Sequence, residues 1–273
     1  MRIGIMEGRL GPPEEGRFQS FPRVGWAREF GSAKAAGLDC IEWIYDVYGA
    51  DVNPMATDDG VQKMAELGKE HGVSVLSCCA DYFMEERFLR CTESELTARL
   101  AKLDWLLGRC QKIGINRVVL PFVDASKIES DDELRSLAGI LRRVLPAAER
   151  TKVELHLETD LNPARFATLL DLVVHPLVKV NYDSGNSSSL GYAPREEFGA
   201  YGTRVGSVHI KDRVKGGSTV ALGTGDCDFT ALFESIKKVG YKGDYILQAA
   251  RSNPDEVALA RQNRGFIEKW LGA

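Results

Sequence analysis

No run in this sequence approaches the roughly 18 consecutive apolar residues that a membrane-spanning helix needs, so no membrane partner is expected. The opening stretch MRIGIMEGRL lacks the apolar core of an export signal and reads instead as a first strand. Basic residues are not in excess. The formal net charge of −4 argues against a nucleic-acid partner, which would call for a basic face. Six cysteines (Cys40, Cys78, Cys79, Cys91, Cys110 and Cys227) include no C-x-x-C pair. Cys78 and Cys79 are adjacent in an expected strand and point to opposite faces, so they cannot grip one metal together. With no export signal, reduced thiols in a cytoplasmic protein are expected. There are only four histidines, and two of them sit poorly for ligation: His71 precedes a helix-stop glycine and His175 lies in a V-V-H-P-L turn. A centre of several zinc ions is thereby set aside.

What the chain does contain is a repeated unit: amphipathic helix, glycine stop, short apolar strand, polar loop. The stops read A-G-L-D, H-G-V-S, I-G-I-N and V-G-Y-K, at 36–39, 71–74, 113–116 and 239–242. Glycine just past a helix end adopts the left-handed conformation cheaply, and the apolar residue after it packs back onto the helix. Strands are expected after these stops at Cys40–Tyr45, Val75–Ala80, Arg117–Phe122 and Tyr245–Ala249. Four more are expected at Ile3–Met6, Val153–Glu158, Val178–Asp183 and Val205–Ile210. Between them, Leu96, Leu100, Leu103, Leu107 and Cys110 keep helical period, as do Leu134, Leu137, Leu141, Val144 and Ala148. Thr92-x-x-Glu95 and Ser130-x-x-Glu133 have the form of capping boxes. Asn162-Pro163 and Asn253-Pro254 pair an N-cap with a first-turn proline. Eight such units in 273 residues, 44% hydrophobic and with no linker, predict one α/β domain, a (β/α)8 TIM barrel over 1–273.

The loops after the strands of this fold carry its chemistry, and three are long: 8–25, 185–201 and 212–226. They neighbour four polar residues at strand ends. Glu158 ends K-V-E-L-H-L-E, Asp183 ends V-K-V-N-Y-D, His209 lies in V-G-S-V-H-I-K-D-R, and Gln248 ends D-Y-I-L-Q. Two carboxylates, one imidazole and one amide oxygen on consecutive strands suit a divalent ion. The oxygen-rich set favours Mn2+, Mg2+ or Co2+, with Zn2+ also acceptable.

These motifs resemble the sugar phosphate isomerase/epimerase family with its xylose-isomerase-like barrel, which includes the ketose 3-epimerases and, more remotely, the endonuclease IV type of repair enzyme. The resemblance rests on L-H-L-E-T-D, N-Y-D-S-G-N, V-H-I-K-D, L-G-T-G-D-C-D-F and G-Y-K-G-D-Y-I-L-Q, and it spans essentially the whole chain. It implies a metal held by Glu, Asp, His and a final Glu, the two glutamates acting as paired acid and base. Here the last position is Gln248. An amide oxygen ligates a metal, but glutamine moves no proton near neutral pH.

The expected activity is metal-dependent isomerisation or epimerisation of a sugar or sugar phosphate through an enediolate. Glu158 serves as acid/base, and Lys211, one strand repeat above His209, neutralises the oxyanion or meets a phosphate. Arg213 and Arg251 are phosphate candidates. Glu42 is expected either at the mouth, on the substrate side, or as a structural acid, and His156, on the inward face below Glu158, either as a hydrogen-bonded interior histidine supporting Glu158 or on the substrate side. Trp43, Tyr82 and Phe83 are candidates to pack against sugar C–H faces, and Gly223–Gly225 reads as a turn rather than a phosphate cradle. Two alternatives use the same site: a dehydratase acting on a keto-polyol, and a sugar-binding barrel without turnover. A homo-oligomer is compatible with the sequence but not specified by it.

Overall fold

The expected strands form, and they close on themselves. The structure, a computed structural model, describes residues 1–272. Within them eight parallel strands make a closed barrel in which each pairs with its sequence neighbours and the last returns to the first through Ile3↔Tyr245. The strands are Ile3–Met6, Cys40–Ile44, Ser74–Cys79, Arg117–Phe122, Glu154–Thr159, Val178–Asp183, Val205–Ile210 and Tyr245–Leu247. Their ends differ from expectation by one or two residues. Gln248 lies just past the last strand, held in line by its N–H to the Ile210 carbonyl at 3.0 Å. Among the described residues, no helix is long and apolar enough to cross a membrane.

Helices alternate with the strands and turn their apolar stripes inward. Leu103, Leu107 and Cys110 on Glu93–Ile113 are fully buried, and so are Leu137 and Ala148 on Asp131–Thr151 to within 1%. Thr92 and Glu95 form a reciprocal box: Thr92 N–H donates to Glu95 at 2.7 Å and Glu95 N–H to Thr92 Oγ at 3.3 Å. Ser130 caps its helix alone, because Glu133 turns to Arg90 and the Glu129 N–H instead. The last helix starts at Glu256, capped by Asp255, rather than at Pro254, because Asn253 accepts the Asp255 N–H and closes a turn first. The stretch 185–201, expected as a loop, folds into two short helices, Ser184–Leu190 and Pro194–Tyr201. Its serines and glycine gave no apolar period to read.

Register brings the polar residues together. The sixth and seventh strands pair Asn181 with Ser207 and Asp183 with His209, after a shift between Val180 and Asn181. Residues two apart share a face, so all four point into the barrel. A shift of one residue would have sent them to the helix layer.

A second buried acid lies at the first strand-to-helix connection. Glu29 accepts the Gly8 N–H at 2.8 Å and is 3% exposed. Burial pushes its carboxyl up from 4.5 to about 7. The folded chain therefore keeps a proton that the unfolded chain gives up earlier. This contribution is complete below pH 4.5 and disappears as pH rises through about 7. Chemical denaturation of wild type and Glu29→Gln should show it. Going from pH about 5 to about 8, the variant should gain about 3 kcal/mol relative to wild type. A gap that does not move with pH contradicts the assignment.

Candidate functional site

A carboxylate–imidazole pair lies at the floor of the site. Glu42 and His209 are both 0% exposed, and His209 Nε2 meets Glu42 Oε1 at 2.6 Å. An ionised carboxylate only accepts, so Nε2 carries the proton and Nδ1 faces the other way. There it meets the Asn181 amide at 3.1 Å, with Glu158 Oε2 at 3.5 Å and Asp183 Oδ2 at 3.9 Å. Burial pulls the imidazolium down, but Glu42, Glu158 and Asp183 outweigh it and hold its pKa up at about 9. Around this nitrogen the protein is built to receive positive charge.

Glu158, Asp183 and His209 each offer a ligand atom, and these lie within 4.8 Å of one another. Their oxygen and imidazole donors fit a divalent ion, and the group could hold one. Each ligand is aimed by other bonds. Asp183 Oδ1 caps the helix that follows it, accepting the N–H groups of Gly185 and Asn186 at 2.8 Å each, which leaves Oδ2 for the site. Glu158 accepts an amide N–H on either oxygen, from Asn181 at 2.9 Å and Asn186 at 2.7 Å. Asn181 is oriented in turn by Ser207, whose hydroxyl donates to Oδ1 at 2.6 Å. Neither asparagine was expected at the site. Asn181 shares the inward face with Asp183 and could have been read from strand alternation; Asn186 lay in the stretch mistaken for loop.

Burial, then the nearby Asp183, pushes the Glu158 carboxyl up to about 7 against the pull of His209 and Lys211. A carboxyl poised near neutrality suits general acid–base work.

Lys211 reaches into the same site. Its ammonium donates to Asp183 Oδ2 at 3.1 Å and Gln248 Oε1 at 2.9 Å. The stem lies over Gly185, where an added Cβ would come within 2.5 Å of Lys211 Cγ. Gln248 turns its oxygen to Lys211, the same ammonium that holds Asp183. Its amide donates to Gln19 Oε1 at 2.8 Å, and Gln19 donates to Asp81 at 2.8 Å. This chain of amides runs one way, from ammonium to carboxylate. A glutamate at 248 would face the Gln19 oxygen with an acceptor.

Several candidate substrate-side residues lie elsewhere. Glu42 is sealed on the floor, not at the mouth, because the buried imidazole needs an acceptor. His156 is 0% exposed, bonded to Ser207 at 2.7 Å and Glu154 at 2.9 Å, and so supports Asn181 through Ser207 out of substrate reach. Arg251 binds the carbonyls of Gly8, Gly11 and Phe18 and fastens the first loop. Trp43 and Phe83 are core, Trp43 among Phe21, Trp26 and Phe30, and Tyr82 packs against Tyr45. Above the ligands opens a cavity of about 390 Å3, where Phe18, Tyr48 and Met84 supply the apolar faces and Glu158, Lys211 and Arg213 the charge.

A family profile described as xylose isomerase-like TIM barrel matches residues 30–270. The chain belongs to the xylose isomerase-like TIM barrel family. Over 252 residues it is 26% identical to L-ribulose-5-phosphate 3-epimerase UlaE of Salmonella paratyphi A, with 86% of this chain and 87% of the relative covered. Among solved structures of the same barrel, IOLI protein with a binding zinc atom superposes with a TM-score of 0.79 at 18% identity, covering 99% of each chain. D-allulose 3-epimerase from Methylomonas sp. gives 0.76 at 18%, covering 99% of this chain and 98% of the other. These two likenesses are of fold.

Two outcomes are expected of this xylose isomerase-like site. Mn2+ at about 100 times its dissociation constant should raise the unfolding free energy by about 2.7 kcal/mol, and Asp183→Ala should abolish the gain. Replacing Glu42 by Gln, which keeps the shape but not the charge opposite Nε2, should weaken metal binding by about 10- to 100-fold in calorimetry. Unchanged affinity would remove Glu42 from the site.

Proposed function

We propose that this protein is a divalent-metal-dependent sugar isomerase/epimerase in which Glu158 is the only carboxyl that moves a proton. The observation that carries the reading is the pair of amide bonds on Glu158, which aim its carboxyl into the cavity beside Asp183 and His209. The activities named for the relatives, L-ribulose-5-phosphate 3-epimerase and D-allulose 3-epimerase, support the same chemical class.

Glu158, Asp183 and His209 would hold the metal, with Mn2+, Mg2+ or Co2+ favoured and Zn2+ acceptable. When bound, the ion supplies Lewis-acid polarisation of a carbonyl and stabilisation of an enediolate. Glu158 takes the carbon-bound proton and returns it to the neighbouring carbon. Asn181 and Asn186 keep the carboxyl aimed while it changes charge. Lys211 sets a positive charge over the same floor and stabilises oxyanion character. Gln248 orients Lys211 and ties down the first loop through Gln19, but exchanges no proton. A single carboxyl favours proton return on one face, as in aldose–ketose isomerisation, over two-base epimerisation.

The same arrangement supports a second reading, dehydration of a keto-polyol, in which the Lys211 ammonium protonates the departing hydroxyl. Incubation of aldoses, ketoses and their phosphates in D2O with Mn2+, followed by NMR, separates the two. Isomerisation gives deuterium at the carbon next to the carbonyl with the formula otherwise retained; dehydration loses water. Glu158→Gln should cut the exchange by about 100-fold or more. Exchange that survives this change excludes Glu158 as the base, and wild-type protein that binds sugar but forms no product and shows no exchange is a binding barrel.

A further inference from the structure

The cavity raises a narrower question, whether its substrate carries a phosphate. Resting on the reading just proposed, we infer that this site takes an uncharged ketose or keto-polyol and not a phosphate ester. The structural feature behind this is that, apart from the exposed Arg17, the groups a phosphate would need are already bonded to the protein's own oxygens.

In (β/α)8 barrels a phosphate is commonly bound by the loops after the last two strands. The loop after the seventh strand contains the Gly223-x-Gly225 turn, whose N–H groups converge as a phosphate cradle would require. They converge on Asp212. Its carboxylate accepts Gly223 N–H at 2.8 Å, Gly225 N–H at 2.9 Å and Cys227 N–H at 3.1 Å, and the residue is 0% exposed. A Cβ at Gly225 would lie 2.4 Å from Asp212 Oδ1, so the glycine makes room for this internal anion. The loop after the eighth strand offers Arg251, and its guanidinium is bonded to three backbone carbonyls and does not line the cavity.

The cations that do line the cavity are Arg17, Lys211 and Arg213. Lys211 is held by Asp183 and Gln248. Arg213 gives Nε and Nη2 to the Gly217 carbonyl, at 3.1 and 2.8 Å, and Nη1 to Asn186 at 3.1 Å. Arg17 is exposed and stacks on Tyr48 at 4.1 Å. Facing these are five carboxyl groups, those of Asp46, Asp81, Glu85, Asp124 and Glu158, with Glu85 and Asp124 exposed at the rim. A phosphate ester would bring a charge of about −1.5 to −2 against the carboxyls of Asp46, Asp81, Glu85 and Asp124, which do not belong to the metal-holding group. Hydroxyls, by contrast, find acceptors on the rim acids and C–H contacts on Phe18, Tyr48 and Met84.

The test is calorimetric binding of free ketoses, the matching ketose phosphates and inorganic phosphate to Mn2+-loaded protein, run beside the D2O exchange. A free ketose should bind at least about 10-fold more tightly than its phosphate, a difference of about 1.4 kcal/mol, and inorganic phosphate should not compete with it. A phosphate that binds more tightly, or inorganic phosphate that displaces the ketose, overturns the inference, as does a protein that binds no sugar of either kind. If free ketoses bind preferentially but give neither product nor exchange, the inference stands and the proposed catalysis fails.

Discussion

A buried imidazole between carboxylates is the constraint from which the rest of the site follows. His209 is fully buried and Glu42 beneath it takes the Nε2 proton, so Nδ1 must look toward Glu158 and Asp183. Burying such groups costs several kcal/mol each unless partners compensate. Here the compensation is built from both sides: the floor carboxylate fixes the ring, while the two ligand carboxylates are themselves satisfied by amides and a helix cap. What remains is a group of two carboxylates and one imidazole at the top of the barrel, beside the Lys211 ammonium and next to the cavity.

The second organising feature is the direction of the hydrogen bonds. Lys211 donates to Gln248, Gln248 to Gln19, and Gln19 to Asp81, so that each amide presents its oxygen toward Lys211 and its nitrogen toward Asp81. In the resembled family a glutamate is expected at the last position. In this chain the amide is coupled to loop residues that could not accommodate an acceptor without turning over. Gln248 is therefore integrated in its surroundings, and in the proposed reading the proton transfer falls to Glu158. The internal anion at Asp212 follows a similar logic, because it fills a nest of backbone donors and so removes them from ligand binding.

Much of this was legible along the chain. The glycine stops at Gly37, Gly72 and Gly114 adopt the left-handed conformation that the repeats required. The metal-ligand types at Glu158, Asp183 and His209 were visible because strand alternation is local: period two decides which residues share a face. Less legible was what those faces meet. Glu42 could be read as a mouth residue or a structural acid because nothing near it in sequence shows that its partner is His209, 167 positions away. Gln19 and Gln248, separated by 229 positions, carry no mark of each other in their own segments.

By itself, then, the sequence determined the barrel, its strand faces and the set of side chains at its C-terminal rim, because propensity, capping and periodicity act over a few residues. Only the tertiary structure decided which of them converge into a group that could hold a metal, and which are supports or walls. That choice depends on register and closure: the shift at Val180 and Asn181 aligns Asp183 with His209, and the return of the last strand to the first brings Gln248 to the loop that carries Gln19. Burial then sorts them, since an inward polar residue is stable only where a partner from another strand meets it.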